Sequence, residues 1–258
     1  MKHGLPVLMV IYLTIPHARA DDPQTNSPKQ RYQALLDEYE DAGGAREFAG
    51  KFLELAKKYP TDTVATDALV WVLKKRRNHP EAIEAIGLLE KQHLKSPQLI
   101  TSFSSLPRIP STAAEKLLRT ILNKSPHANV RAGACYALAD LLERQAGVVD
   151  QLKKEPELAG RILEYFGKDY AKYIASLDRP QMDKKLERVY AMMAEKFGSI
   201  ETGEETMGDL ARRSLFRIRH LSIGRVAPNI KGQDIFGEEF ALSDYRGNVV
   251  LLSFWGHW

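Results

Sequence analysis

The sequence predicts a mainly α-helical chain with α-solenoid-like repeats, followed by a short α/β segment. Up to about Leu221, apolar residues recur at the three- and four-residue spacing of a helix face, as in Tyr32, Leu35, Leu36 and Tyr39. At residues 222–224 this periodicity gives way to Pro, Gly and alternating apolar residues. We therefore expect a helical (TPR/HEAT-like) domain at 29–221 and a second unit at 222–258.

The helix boundaries are predicted from residues that cap or break helices. Ser27-Pro28 supplies an N-cap followed by Pro at the first helical position, and Gly43-Gly44 ends that first helix. The second helix stops at Tyr59-Pro60, the third begins at Thr61 or Asp62, and the fourth opens at His79-Pro80. Further helices are expected at about 156–166, 182–197 and 207–221.

A weak repeat supports the solenoid-like interpretation. Three amphipathic helices end in Lys, then Tyr or Ser, then Pro, at Pro60, Pro97 and Pro126. These prolines lie 37 and 29 residues apart, a spacing that suits stacked helical hairpins. Residues 129–142 have a HEAT-like pattern, but the repeat is too irregular for a true TPR array. We expect this domain to bind a protein partner.

The first 20 residues have the pattern of a secretory signal peptide. A short basic start at Lys2 and His3 precedes an apolar core at 5–15 that is too short to span a bilayer. Ala18-Arg19-Ala20 forms an A-x-A cleavage site, with Ala18 and Ala20 at its small positions. The alternative is an ordinary buried helix. The pattern predicts export to the periplasm or beyond, a mobile linker at 21–28, and no stable membrane span after cleavage.

Charge and motif content argue against several other function classes. The formal net charge is +4, and it would fall to about +2 once the leader is removed. The charges are also interspersed along the chain, so we expect no nucleic-acid partner. The sequence has no metal-binding His spacing, P-loop or dinucleotide motif, so no cofactor is expected.

His79, His93 and His127 lie near helix ends, where solvated or capping roles are usual. The basic run at 74–77 is interpreted as a solvated helix end, with a partner contact as the alternative.

Cys135 is the single cysteine of the sequence, so an internal disulfide is excluded. It lies in the run Ala132-Gly133-Ala134-Cys135-Tyr136-Ala137, among small apolar residues. A thiol in such surroundings is typical of a buried core residue rather than a nucleophile.

The C-terminal residues carry the most specific pattern in the chain. It begins with Ile-Gly-Arg-Val-Ala-Pro-Asn at 223–229 and continues with a hairpin around Asp234-Ile235-Phe236-Gly237. Leu-Ser-Asp-Tyr-Arg-Gly follows at 242–247, then an apolar run that ends in Phe-Trp-Gly-His-Trp at 254–258. The pattern resembles the opening of a redoxin domain, in the thioredoxin-like superfamily of TlpA-type thiol-disulfide oxidoreductases and AhpC/TSA peroxiredoxins. Gly256 and His257 depart from the residues usual in that family.

The resemblance implies a fold and a site. Residues 249–258 would form a buried strand after the first hairpin of a thioredoxin-like α/β domain, with Phe254 packed in the core. That strand leads to a helix whose N-terminus carries the nucleophilic cysteine, expected immediately after Trp258. Trp255, Gly256, His257 and Trp258 would form the active-site wall.

On this pattern the Cys-x-x-Cys motif would follow the given sequence, so the chain as given would be catalytically inactive. Its redoxin tail would be poorly folded or prone to aggregate. One hypothesis is a selenocysteine codon, UGA, directly after Trp258; a nonsense truncation and a fragment are the alternatives.

The predicted function is that of an exported thiol-disulfide oxidoreductase with antioxidant activity. The F-W-x-x-W run favours the TlpA type, and the resemblance implies protein disulfides or a thioredoxin-like electron donor as partners. Two alternatives remain: a helical partner-binding protein with a vestigial redoxin segment, and an AhpC/TSA-type peroxidase.

Overall fold

The computed structural model describes residues 27–255, and within that range the chain is mainly α-helical, as predicted. Several predictions lie outside the described residues. These are the leader at 1–20 with Ala18 and Ala20, all but the last two residues of the linker at 21–28, and the wall residues Gly256, His257 and Trp258.

The described range contains nine α-helices: α1 Pro28–Ala42, α2 Ala45–Lys58, α3 Thr63–Lys75, α4 Pro80–Gln92, α5 Thr112–Lys124, α6 Ala128–Lys154, α7 Leu158–Ala175, α8 Arg179–Phe197 and α9 Met207–Phe216. Short 3₁₀ segments occur at Pro97–Ser102, Leu106–Arg108 and Leu242–Tyr245, and a π-helical turn at Arg217–Leu221. Two strands, β1 Lys231–Gln233 and β2 Glu239–Ala241, form one antiparallel pair. Among residues 27–255, no helix combines the length and apolar character needed to cross a bilayer.

Local capping signals explain several helix boundaries. The Ser27 hydroxyl accepts a bond from the Gln30 N–H at 3.3 Å, and the Gln30 side chain accepts one from the Ser27 N–H at 2.8 Å. This capping box places Ser27 and Pro28 in the first helix rather than in a linker. Gly43, with φ +68°, ends the helix where a side chain would be strained. Of the two N-caps predicted for α3, Asp62 is correct: it accepts a bond from the Val64 N–H at 2.9 Å.

One continuous hydrophobic core runs through the helical part. From α1 to α7 each helix packs against the next, and α6 also packs against α8, which contacts α9. An aromatic cluster occupies the N-terminal end, where the Phe52 and Trp71 rings stack at 4.1 Å and Tyr39 meets Trp71 edge-on at 5.0 Å. The core therefore holds together helices that lie near one another in the sequence.

The predicted repeat is interrupted at its second junction. An α-helix follows Pro60 and Pro126 within three residues, but only 3₁₀ segments follow Pro97. Two further prolines, Pro107 and Pro110, lie in the next 13 residues, and each removes a backbone donor that an α-helix needs. The irregular segment packs against α3, α5 and α6 instead of forming a helical hairpin of its own.

Two helices differ from their predicted extents by about five residues or more. The helix expected at 156–166 extends as α7 to Ala175, with a break at Gly167, whose φ of +81° and ψ of 168° are outside the helical range. The helix expected at 207–221 is α-helical only to Phe216 and continues as the π-helical turn. Both differences lie at helix ends or kinks, where tertiary packing competes with local preference.

The terminal strand predicted from residue 249 onward is not formed in residues 249–255. The hairpin strands pair only with each other, so this segment has no partner strand within the described residues. A strand needs a neighbour for its backbone N–H and C=O groups, and an apolar pattern alone does not supply one. Pairing of β1 with β2 agrees with the hairpin predicted around Asp234.

Candidate functional site

The hairpin is held by one carboxylate and one glycine. Asp234 Oδ1 accepts bonds from the N–H groups of Phe236 at 2.8 Å and Glu238 at 2.9 Å. Gly237 has a φ of +87°, which a side chain would oppose. The strand register pairs Lys231 with Ala241 and Gln233 with Glu239. The turn therefore forms from residues within five positions of each other.

Two further polar side chains tie the hairpin to the 3₁₀ turn that follows it. The Ser243 N–H donates to Asn229 Oδ1 at 2.8 Å, which joins the residues before and after the hairpin. Asp244 Oδ2 accepts a bond from the Ala241 N–H at 2.9 Å. These contacts of Asn229 and Asp244 were not predicted, although the signal was available in the sequence: Asn and Asp commonly bind backbone N–H groups in turns.

Residues 249–255 expose an almost continuous apolar surface. Val249 and Leu251 are 104% and 93% exposed, whereas Val250 and Leu252 between them are 43% and 48% exposed. This alternation is that of an extended chain with one face partly covered. Phe254 and Trp255 are 84% and 87% exposed. Phe254 is therefore not packed in a core, contrary to its predicted place, and the Trp255 side chain is equally open to solvent.

The Cys135 thiol has the environment expected of a core residue. It is fully buried on α6, and its Sγ lies 3.8 Å from the backbone oxygen of Val189 on α8. Burial raises the pKa of this thiol to about 12, so the thiolate is almost absent at neutral pH. The structural interpretation of Cys135 thus agrees with its surroundings.

The three helix-end histidines have different environments, and His93 has the capping position that was one of its two predicted roles, but it is not solvated. His93 is the C-cap of α4, where its backbone N–H donates to the Leu89 oxygen at 3.0 Å. Its side chain is only 5% exposed, with Nδ1 3.3 Å from the buried hydroxyl of Thr66. Desolvation lowers its pKa. His79 precedes α4 and is exposed, and His127 Nε2 lies 3.0 Å from the backbone oxygen of Lys95. His93 differs because the C-terminal end of α4 packs against α3.

The basic run at 74–77 is mostly solvated, as predicted, with one exception. Lys74, Lys75 and Arg77 are exposed. Arg76 is half-buried and lies 3.2 Å from the Glu81 carboxylate, which joins the end of α3 to the start of α4. In residues 27–255 no group of three or more His, Cys, Asp or Glu side chains is placed to hold a metal ion.

Comparison with known proteins shows a short similarity to thiol-disulfide oxidoreductases. The chain is 47% identical over 38 residues to the thiol-disulfide oxidoreductase ResA of Geobacillus kaustophilus (strain HTA426). It is 45% identical over 38 residues to the protein of the same name from Geobacillus thermodenitrificans (strain NG80-2). The match covers 15% of this chain and 22% of each relative. No family model and no solved structure matches the chain.

The similarity indicates a thioredoxin-like segment and supports a redox function. It covers less than a quarter of each relative, and it leaves most of the helical part without a counterpart. The described residues contain the single thiol of the sequence, which is buried, so they hold no accessible thiol for that chemistry.

Proposed function

We propose that residues 223–258 are the N-terminal part of a TlpA-type thiol-disulfide oxidoreductase domain, which follows a helical domain that binds a protein partner. The observation that carries this proposal is the 38-residue similarity to the ResA oxidoreductases. The hairpin, the Asn229 contact across it and the apolar segment at 249–255 are compatible with the start of such a domain. On this proposal the nucleophile follows Trp258 directly, beside the wall residues Trp255, Gly256, His257 and Trp258.

The chemistry would be dithiol–disulfide exchange. A thiolate or selenolate at a helix N-terminus is stabilised by unpaired backbone N–H groups and by the helix dipole. It attacks one sulfur of a protein disulfide, the S–S bond breaks, and a mixed disulfide forms while the other sulfur leaves as a thiolate. A second cysteine then displaces the substrate as a dithiol, and a thioredoxin-like dithiol donor reduces the resulting enzyme disulfide.

The exposed apolar segment at 249–255 supports the proposal that these residues belong to a larger α/β domain. The backbone of residues 249–255 forms no strand pairing with another described residue, and the side-chain exposure from Val249 to Leu252 alternates between two faces. Neighbouring strands and covering helices of a complete α/β domain would bury both faces. The proposed domain would therefore supply the burial that this apolar sequence needs.

We also propose that the protein is exported. The A-x-A site at Ala18 and Ala20 predicts a mature chain that starts at Asp21. Cleavage there would leave α1 intact, because that helix begins at Pro28. Mass spectrometry of protein from the native host tests this proposal: a mature N-terminus at Asp21 supports it, and a retained Met1 contradicts it.

The redox proposal is tested first by the nucleotide sequence that follows the Trp258 codon. A Cys or UGA codon, then a Cys codon three positions after it, is the expected result. A coding sequence that lacks both the Cys or UGA codon and the second Cys codon, or that shows no redoxin pattern, would favour the alternative function. That alternative is a helical partner-binding protein with a vestigial redoxin segment.

The second test is insulin disulfide reduction by the protein expressed from that longer reading frame. Activity should vanish when the residue after Trp258 is replaced by Ser, and Cys135→Ser should retain it because Cys135 is buried. Loss of activity in Cys135→Ser with an unchanged melting temperature would contradict the assignment. Faster turnover of a hydroperoxide than of insulin would favour the peroxidase alternative.

A further inference from the structure

A groove on the helical part has a charge pattern that the redox proposal does not use. Its volume is about 770 Å³, and four different elements line it: the loop after α3, the 3₁₀ segment Leu106–Arg108, α6 and α7. Each contributes one arginine, namely Arg77, Arg108, Arg144 and Arg161. Within residues 27–255 no Asp or Glu lines the groove. This local excess of positive charge contrasts with the interspersed charges of the whole chain.

Two of these guanidinium groups have no partner among the described residues. Arg144 Nε lies 2.9 Å from Asp140 Oδ1, and Arg108 donates to the backbone oxygen of Ser104. Neither Arg77 nor Arg161 forms an ion pair or a side-chain hydrogen bond in the described part of the chain. An arginine fork binds a carboxylate through two parallel N–H bonds, so these two groups are free to bind acidic side chains.

The groove also has apolar and amide groups beside the arginines. Tyr165 and Phe166, on the first half of α7, are 67% and 37% exposed although they line the groove. Gln145 is 4% exposed, and its Oε1 accepts a bond from the Tyr173 hydroxyl at 3.3 Å, while its amide nitrogen has no partner among residues 27–255. Aromatic side chains provide an apolar contact area, and a free amide suits the C=O group of a peptide.

We propose that this groove binds an extended peptide segment of a partner protein that carries acidic side chains beside aromatic ones. Arg77 and Arg161 bind the carboxylates, Tyr165 and Phe166 pack against the aromatic side chains, and Gln145 donates to the peptide backbone. The charge complementarity carries the choice of occupant: the groove has four cations and no acid, and two of the cations are unpaired. The site is separate from the C-terminal segment, because no residue beyond 222 lines it.

The probe is the fluorescein-labelled peptide Asp-Phe-Asp-Glu-Phe-Glu, with Asn-Phe-Asn-Gln-Phe-Gln as its uncharged match. Fluorescence anisotropy with the full chain should show binding of the acidic peptide that weakens as salt is added, since the contacts are charged. The double variant R77Q/R161Q should weaken that binding at least about tenfold. Both arginines are exposed and unpaired, so its melting temperature should not change.

The control variant K184Q/R188Q removes the same charge from the exposed side of α8, where neither residue lines the groove, and should bind as wild type does. Tyr165→Ala should weaken binding several-fold without unfolding, because Tyr165 is mostly exposed. The proposal is wrong if the acidic probe does not bind, if the uncharged peptide binds equally, or if R77Q/R161Q binds as wild type does. Competition by free glutamate at the peptide's own concentration would identify a small anion as the occupant instead.

Discussion

At the scale of single residues, Gly133 shows how tightly the middle of α6 is packed. A Cβ atom at this position would lie 2.6 Å from two ring carbons of Phe103, closer than real Cβ contacts. Phe103 is itself only 9% exposed, so its ring has little room to move away. Close approach of the 3₁₀ region to α6 therefore depends on the absence of a side chain at residue 133.

We predict that Gly133→Ala destabilises the protein although Ala favours helices. Overpacking costs about 1–3 kcal/mol, and the gain in helix propensity is about 0.5–1 kcal/mol, so the clash outweighs it. Gly147→Ala on the same helix is the matched control, because nothing lies within 4 Å of its Cβ position. Urea unfolding should show Gly147→Ala to be as stable as wild type or more so. Equal stabilisation by both substitutions would contradict the close contact.

His93 makes stability depend on pH. Burial lowers its pKa in the folded protein, whereas the unfolded chain titrates near the ordinary value of about 6.5. The unfolded state therefore binds a proton that the folded state resists. The contribution of neutral His93 to the free energy of unfolding is therefore fully present above about pH 6.5. It is lost as the pH falls from there toward the pKa of His93 in the folded protein.

The matching prediction compares His93→Gln with wild type in urea unfolding at about pH 7.5 and about pH 5.5. Wild type should lose more stability than His93→Gln between these two values, because Gln does not titrate. The control is His79→Gln, at an exposed position. This variant should lose as much stability as wild type does between the two pH values. The same pH dependence in wild type and His93→Gln would show that His93 is not the group responsible.

At the scale of elements, α7 consists of two halves that differ in how they are held. The half after Gly167 carries the buried Ile174, and its Tyr173 hydroxyl donates to Glu115 on α5 at 2.8 Å. The half before Gly167 contains no buried side chain, and Leu163 and Tyr165 are 50% and 67% exposed. The break at Gly167 separates a packed segment from a weakly packed one.

We predict that amide hydrogens at 158–166 exchange faster than those at 170–174, because local opening costs less where few side chains are buried. Tyr173→Phe removes the bond to Glu115 and should cost about 1 kcal/mol while it speeds exchange at 170–174. The exposed Tyr165→Phe is the control and should leave both exchange and stability unchanged. Equal protection in the two halves of wild type would contradict this division.

At the scale of the whole molecule, burial is concentrated in the helical part. The buried core residues all lie between Phe48 and Ile218, and no described residue from 219 to 255 is buried. The C-terminal segment is ordered locally by hydrogen bonds of its turns rather than by a core of its own. Thermal unfolding should therefore report the helical part.

We predict that V249D/L251D reduces self-association of the chain without changing its melting temperature. Both side chains are almost fully exposed, and an unpaired apolar segment is a common site of aggregation. The matched control replaces two exposed apolar residues of the helical part, I100D/L163D, at 46% and 50% exposure. Light scattering at rising concentration should separate the two variants. An equal effect of the two double variants would show that the C-terminal segment is not the main site of self-association.

Much of the helical architecture could be predicted because its signals are local. Ser27, Gly43 and Asp62 act on backbone groups within four residues, so their effects are visible in a short stretch of sequence. The hairpin at Asp234 is predictable for the same reason, since its carboxylate binds N–H groups two and four residues away. The candidate site was predictable only as a pattern at 223–258, because its chemistry rests on the family resemblance.

From the sequence alone follow the mainly helical class, several helix boundaries, the buried thiol of Cys135 and the redoxin-like C-terminal pattern. Tertiary structure decided that His93 is buried, that an irregular segment follows Pro97, and that residues 249–255 have no strand partner. It also brought Arg77, Arg108, Arg144 and Arg161 to one groove from four separate elements. The physical reason is the range of the interactions: capping and turn bonds join near neighbours, whereas burial, strand pairing and charge clustering depend on residues that only folding brings together.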